Sequence, residues 1–168
     1  MKEEIVNRVA GSKLLTLDLE ELYPRGQRFR VDLSQWLEEG LILREKEFRN
    51  ALKAHDWEIY RDGFVALSCS SDAIVPAWAY MLIGSYLKPV ARKVVVGSSE
   101  AMETLLFNEC LEKLDLEPYR DRPVVIKGCS KLPVPLSAYL WSLQRLQDVA
   151  RSVMFGEACS AVPLFKKS

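Results

Sequence analysis

Apolar and polar positions alternate along two short stretches near the start of the chain. Leu15, Leu17 and Leu19 are separated by polar residues, as are Phe29, Val31 and Leu33. A period of two predicts half-buried strands. Tyr23-Pro24-Arg25-Gly26 between them is turn chemistry, so the two stretches read as a hairpin or as two edge strands. Ahead of them, residues 3–10 place Ile5, Val6 and Val9 on one face of a short helix. Trp36 and Leu37 predict a helical turn that stops at Gly40, and residues 43–54 a helix carrying Phe48, Ala51 and Leu52 inward.

From Phe64 onward the pattern becomes regular. Phe64-Val65-Ala66-Leu67 is a short apolar strand, and Pro76 suits the first position of a helix reaching about Leu87. Lys93-Val94-Val95-Val96-Gly97 reads as a buried strand. Ser98 or Ser99 then caps a helix of roughly residues 100–113. Val124-Val125-Ile126 is a strand, Pro135 opens a helix over 136–149, and Val153-Met154-Phe155 is the last strand.

This regularity is a duplication. Residues 48–97 and 107–156 superpose at an offset of 59, with one extra residue in the second copy. Phe48, Leu52, Asp56, Glu58 and Tyr60-Arg61-Asp62 recur as Phe107, Leu111, Asp115, Glu117 and Tyr119-Arg120-Asp121. Cys69-Ser70, Val75-Pro76 and Ala79-Tyr80 recur as Cys129-Ser130, Val134-Pro135 and Ala138-Tyr139, and each copy closes on a glycine, Gly97 or Gly156. Strands alternating with helices of this length call for parallel strands and right-handed crossovers. A duplicated unit of this type calls for two halves related by a pseudo-twofold axis. The expected fold is therefore α/β: duplicated βαβ units in one doubly wound, mainly parallel sheet, helices on both faces, and N-terminal edge strands. It forms a single domain over residues 1–168. The expected central order is 93–97, 64–68, 124–128, 152–156, with the two repeat-initial strands side by side.

Composition narrows the function classes. Lys plus Arg and Asp plus Glu number 23 each, so no net field draws the chain to nucleic acid or an anionic membrane. No signal-peptide pattern follows Met1, and no window is long and uncharged enough to span a bilayer. The expected location is the cytoplasm, where four cysteines serve as thiols or ligands rather than disulfides. Gly-rich dinucleotide and phosphate loops and a nucleophile elbow are absent from the sequence.

The candidate chemistry lies at the strand ends, where open α/β sheets bind ligands. Cys69 and Cys129 occupy equivalent ends, and Cys159 follows the last strand. All three stand in Cys-Ser, a spacer, then Val-Pro. The helix N-termini at Pro76 and Pro135 favour negative charge and so the thiolate form. Three convergent thiolates are what zinc or an iron–sulfur cluster requires, and the alternative is cysteine as a small apolar filler of tight turns. Asp72, His55 and Glu157 are the candidates for a fourth ligand or its hydrogen-bond support. Asp72 reads equally as a helix cap, and His55, the only histidine, equally as structural. Cys110 lies on a helical stripe with Met102 and Leu106 and reads as core. The Tyr-Arg-Asp segments read as turns with an internal ion pair or hydrogen bonds, and Trp78, Tyr80, Tyr139 and Trp141 as core or dimer-interface aromatics. Pro163-Leu164-Phe165-Lys166-Lys167 reads as a short basic tail.

Three segments, Cys69 to Tyr80, Val125 to Cys129 and Gly156 to Pro163, resemble the domain-of-unknown-function family 2480, a bacterial family found mainly in Bacteroidetes. The resemblance covers nearly the whole chain, including Asn7-Arg8-Val9-Ala10 and Gly40 to Lys46. It supplies no established activity and no catalytic residue. It implies a genomic association with iron–sulfur assembly, hence iron–sulfur assembly proteins as partners. The first expectation is a metal- or cluster-binding protein with Cys69, Cys129 and Cys159 as ligands. The second is a thiol-dependent or metal-assisted enzyme of unassigned substrate. The third is a homodimeric binding module whose helices 76–88 and 136–149 form the interface while the cysteines are structural.

Overall fold

The computed structural model describes residues 14–128, 131–157 and 160–167. The chain forms two compact units, residues 25–102 and residues 1–24 with 103–168, so that the first is inserted into the second. The helix expected over 3–10 lies outside the described residues.

Within 25–102, strands β2 (Arg28–Asp32), β3 (Phe64–Ser68) and β4 (Lys93–Val96) form a parallel sheet in the order β2-β3-β4. Phe64 stands in register with Arg28 on one side and Lys93 on the other. Phe64, Val65, Ala66 and Leu67 are all buried, as expected for a central parallel strand covered on both faces. In helix α1 (Glu45–Ala54) Phe48 and Leu52 are spaced to share one face and are both buried, while Ala51, expected beside them, is half-buried. With α2 (Ala77–Leu87), which contributes Ala79, Ile83 and Leu87, Phe48 and Leu52 close one core over Val31, Leu33, Val65 and Leu67.

The other unit repeats this plan. Strands β1 (Leu15–Asp18), β5 (Pro123–Lys127) and β6 (Ser152–Phe155) run parallel, and β7 (Val162–Lys166) pairs antiparallel with β6, giving the order β1-β5-β6-β7. Helix α3 (Ser99–Glu112) brings Phe107 and Leu111, and α4 (Leu136–Gln147) brings Ala138 and Leu146, onto Leu17, Leu19, Val124 and Ile126. The two cores thus use the same repeat positions. The Arg145 guanidinium donates to the carbonyl of Leu111, meeting one of the acceptors left open at the end of α3.

The α/β class and the mainly parallel pairing agree with expectation; the strand order does not. The repeat-initial strands β3 and β5 are not neighbours. Each sits in its own sheet, between an N-terminal strand and the last strand of its repeat. The alternating stretches at 15–19 and 29–33 do not pair as a hairpin. Both are edge strands, parallel to β5 and β3 respectively. Alternation fixes which face of a strand is buried but not which strand lies beside it, and β1 and β2 satisfy the open edges that β5 and β3 were expected to offer each other. The residues read as a basic tail form β7, whose Pro163 suits an edge strand.

The Tyr-Arg-Asp turns are as expected. Arg61 pairs with Glu58 and Arg120 with Glu117, both at 2.5 Å. Asp62 and Asp121 take positive φ, 56° and 55°, and their amides donate to Val90 and Val149 at 2.9 Å. Among the described residues no helix is long and apolar enough to cross a membrane.

Candidate functional site

The carboxyl ends of β2, β3 and β4 open onto a cleft of about 630 Å³ in unit 25–102. Cys69 follows the last residue of β3 and lines it, half-buried, with its sulfur 3.3 Å from the Ser71 hydroxyl. Tyr80, on the first turn of α2, lines the same cleft, and Gly97 turns the chain away at its far side with φ 139°, a conformation that side chains rarely adopt. Gly97 also donates its amide to Leu67 at 2.8 Å, and Ser98 caps α3 by accepting from the Ala101 amide at 3.1 Å. Arg30 and Glu100, both exposed, also line the cleft.

The loop that carries Cys69 is held by Asp32, the last residue of β2. One carboxylate oxygen, Oδ1, accepts the amide of Ser34 and the amide of Ser70, both at 3.0 Å. The Ser34 and Ser70 hydroxyls bond each other at 3.1 Å. The Ser70 hydroxyl, followed by the amides and hydroxyl of this small network, outweighs the opposing cost of desolvation and holds the Asp32 pKa down to about 2. Asp32 is therefore an anion across any working pH. Burial, and then the charges of Cys69 and Asp32, push the Tyr80 hydroxyl pKa up, so Tyr80 stands in the cleft as a neutral phenol.

The remaining candidates are distributed as follows. Asp72 is exposed and lines a different cavity of the same unit, about 570 Å³, with Ile42, Ile74 and Trp78. The capping role considered for it is also unfilled, since α2 begins at Ala77 after Pro76 without a side-chain cap. His55 packs between Trp36 and Trp57, with ring centroids 5.3 and 4.6 Å away, and its Nε2 lies 3.1 Å from the Tyr60 hydroxyl. It does not line the Cys69 cleft. Glu157 pairs with Lys127 at 3.3 Å, joining the ends of β5 and β6. Cys129 and Cys159 lie outside the described residues. Cys110 is half-buried rather than fully enclosed beside buried Met102 and Leu106, and burial pushes its thiol pKa up. Among the described residues no three His, Cys, Asp or Glu side chains come together as metal ligands.

Sequence reasoning does not single out Tyr80, which lines the cleft, or Asp32, which holds the Cys69 loop beside it. Tyr80 was grouped with core and interface aromatics, and Asp32 was read as a polar position of an alternating strand. A signal for Asp32 exists: Leu17-Asp18-Leu19 matches Val31-Asp32-Leu33. Asp18 makes the same local turn, accepting the Glu20 amide at 2.9 Å. In its unit, Tyr139 stands where Tyr80 does, with its hydroxyl packed so closely on Gly128 that a Cβ there would fall 2.1 Å from it.

No curated protein and no solved structure matches the chain. A family model does, over residues 3–167, and the chain therefore belongs to the family described as protein of unknown function, DUF2480.

Proposed function

We propose that this chain is a cytoplasmic thiolate protein that binds zinc or an iron–sulfur cluster through Cys69, Cys129 and Cys159, in the service of iron–sulfur assembly. The observation that carries the reading is the parallel pairing at the strand ends. Cys129 follows β5 and Cys159 follows β6, strands that are hydrogen-bonded neighbours in register at Ile126 and Phe155, and the Lys127–Glu157 ion pair joins their ends. In the other unit Cys69 follows β3 in the same way. Thiolates are the ligands that zinc and iron–sulfur clusters share. The network at Asp32 supports the reading by fixing a cysteine loop in one conformation, as a ligand loop requires.

The test is metal and acid-labile sulfide analysis with an absorption spectrum, on protein purified without oxygen, for wild type, Cys69→Ser, Cys129→Ser and Cys159→Ser. About one zinc per chain with no visible absorption, lost in the variants, identifies a zinc thiolate site. Iron with sulfide and a brown colour identifies a cluster. Loss of metal in Cys129→Ser and Cys159→Ser but not in Cys69→Ser removes Cys69 from the ligand set. Metal-free wild type refutes the reading.

A second reading is favoured by the cleft itself. Cys69 lies there beside the Tyr80 phenol and the start of α3, an arrangement in which a thiolate attacks a bound substrate and a nearby hydroxyl steadies it. Metal-free protein with one cysteine that alkylates far faster than the rest selects this reading. The homodimer reading has its own support. Leu136 and Leu140 of α4 are 87% and 55% exposed, and with Phe155 and Leu164 they line an apolar cavity of about 440 Å³. Sedimentation of wild type against Leu140→Asp decides it.

A further inference from the structure

We infer that Asp32 is the positioning residue of the Cys69 loop, fixing the thiol toward the cleft by holding the Ser70 amide and hydroxyl against the end of β2. The inference rests on the reading of Cys69 as a functional thiol. It deepens that reading by assigning a residue on another strand to the thiol's placement.

The geometry is specific. Cys69 is the first residue beyond β3, and Ser70 is the next; Asp32 pairs in register with Ser68, the last residue of β3. Asp32 therefore stands beside the point where the chain leaves the sheet. Its Oδ1 gathers two amides at 3.0 Å, one from its own turn at Ser34 and one from Ser70. The Ser34–Ser70 hydroxyl contact at 3.1 Å adds a second link between the two strand ends. Cys69 itself packs against the core of its unit and has its sulfur 3.3 Å from the Ser71 hydroxyl, inside its own loop. Charge-assisted bonds to an anion are the stronger kind, and while the Ser34 amide closes a local turn, the Ser70 amide crosses from one strand to the next. Cys69, Ser70 and the neutral Tyr80 phenol line the cleft, so a ligand entering meets a thiol and a phenol, while Asp32 acts on the cleft through the Ser70 amide it holds.

The test uses the full-length protein, stripped of metal with chelator, as wild type, Asp32→Ala, Asp32→Asn and Ser70→Ala. Three readouts are taken: the iodoacetamide alkylation rate of Cys69 resolved by peptide mass spectrometry, amide exchange at Ser70, and the near-ultraviolet thiolate-to-metal band on titration with Co²⁺. Asp32→Ala removes the oxygen that accepts both amides and is expected to speed Cys69 alkylation and Ser70 exchange about tenfold, independently of salt. Asp32→Asn keeps the acceptor oxygen and is expected to stay within about threefold of wild type, with any difference disappearing at high salt because it reports charge alone. Ser70→Ala is expected to fall between them. Where Co²⁺ gives a band in wild type, Asp32→Asn is expected to retain it and Asp32→Ala to weaken it.

The inference is overturned if folded Asp32→Ala matches wild type in alkylation and exchange, or if Asp32→Asn behaves like Asp32→Ala. Should Asp32→Ala fail to fold, Ser70→Ala decides: faster Cys69 alkylation than in wild type supports the inference, and a rate equal to wild type, or a wild-type Ser70 amide that exchanges freely, overturns it. A wild type without a Co²⁺ band refutes the metal reading instead, and leaves alkylation and exchange to decide on Asp32.

Discussion

Gly128 precedes the Cys129 loop, and the space around it makes a sharp stability prediction. A Cβ built on Gly128 would lie 2.1 Å from the Tyr139 hydroxyl and 2.4 and 2.5 Å from two atoms of its ring. These are far inside van der Waals contact, so Tyr139 or the backbone must move by about an ångström or more to accept Gly128→Ala. The tyrosine cannot simply swing away at no cost. Its ring packs edge-on against Phe155 at 5.7 Å, on the side of the apolar cavity lined by Ile126 and Leu143. Gly128 does not need a left-handed backbone, unlike Gly97 and Gly156, so the cost of the alanine is steric alone. Overpacking of this kind costs about 1–3 kcal/mol, which for a chain of this length lowers Tm by about 2–12 °C.

The assay is urea and thermal unfolding of wild type, Gly128→Ala, Tyr139→Leu and the double variant. Tyr139→Leu removes the atoms that the new methyl meets, so the double variant should be more stable than the sum of the single changes by at least about 1 kcal/mol. Tyr139→Phe is a poor rescue, because the ring atoms at 2.4 and 2.5 Å remain. The other unit supplies a control: Ser68 holds the equivalent place before Cys69 and already carries a Cβ. A loss below about 0.5 kcal/mol in Gly128→Ala, or additivity with Tyr139→Leu, would refute the packing argument.

Four further outcomes are expected. The folded pKa of Asp32 lies below its ordinary value of 3.8, so its contribution to stability is present above about pH 4 and is lost as pH falls toward 2. Full linkage would give about 2.4 kcal/mol, and the partial exposure of the carboxylate reduces this to about 1 kcal/mol, read as the difference in urea midpoint between wild type and Asp32→Asn at pH 7 and at pH 2.5. Leu52→Ala and Leu111→Ala, at equivalent buried positions of the two cores, should each cost about 2–5 kcal/mol by chemical denaturation. Glu58→Ala and Glu117→Ala, which break exposed pairs, should each change stability by less than about 0.5 kcal/mol. Gly97→Ala, at φ 139°, should cost about 1–2 kcal/mol or more, and should disturb the cleft enough to alter Cys69 alkylation.

The internal repeat was the most legible feature, for a physical reason. Phe48 and Phe107, Leu52 and Leu111, and Ala79 and Ala138 are all buried, and positions that fill two similar cores must resemble each other in size. Strand pairing was not legible. Val31 and Leu17 alternate as buried edge-strand residues, but the period says nothing about whether the neighbour is β3, β5 or the other edge strand. β7 was hidden because Pro163 and Lys166 are residues an exposed edge strand uses and a disordered tail also uses. Asp32 was hidden by its position in the alternation, where a carboxylate reads as solvent-facing. Tyr80 was hidden by apolar neighbours, which make any tyrosine on that helix look like core. Cys69 was legible because it recurs at a strand end, yet the residue that holds its loop belongs to a strand outside the repeat 48–97 and 107–156.

That omission changes what the duplication means. Taken as 48–97 and 107–156, the repeat contains a central strand, a last strand and the helices, but no partner for the outer edge of β3 or β5. Adding Leu17-Asp18-Leu19 and Val31-Asp32-Leu33 completes each unit as three parallel strands, with an aspartate at the end of the first and a cysteine just beyond the second. The order of these pieces is the same in both units, although in one of them residues 25–102 intervene between the first strand and the rest. An aspartate at a strand end needs no second copy for core packing, because its side chain is spent on loop amides: Glu20 for Asp18, Ser34 and Ser70 for Asp32. What the two units share beyond their cores is therefore a means of setting a loop at the carboxyl edge of a sheet. Where they differ, at Ser68 and Gly128, the difference sets how near a tyrosine approaches that loop: Tyr139 closes down on Gly128, while Tyr80 is left lining an open cleft. Cys69 lines that same cleft, so in unit 25–102 the thiol and the tyrosine share one opening.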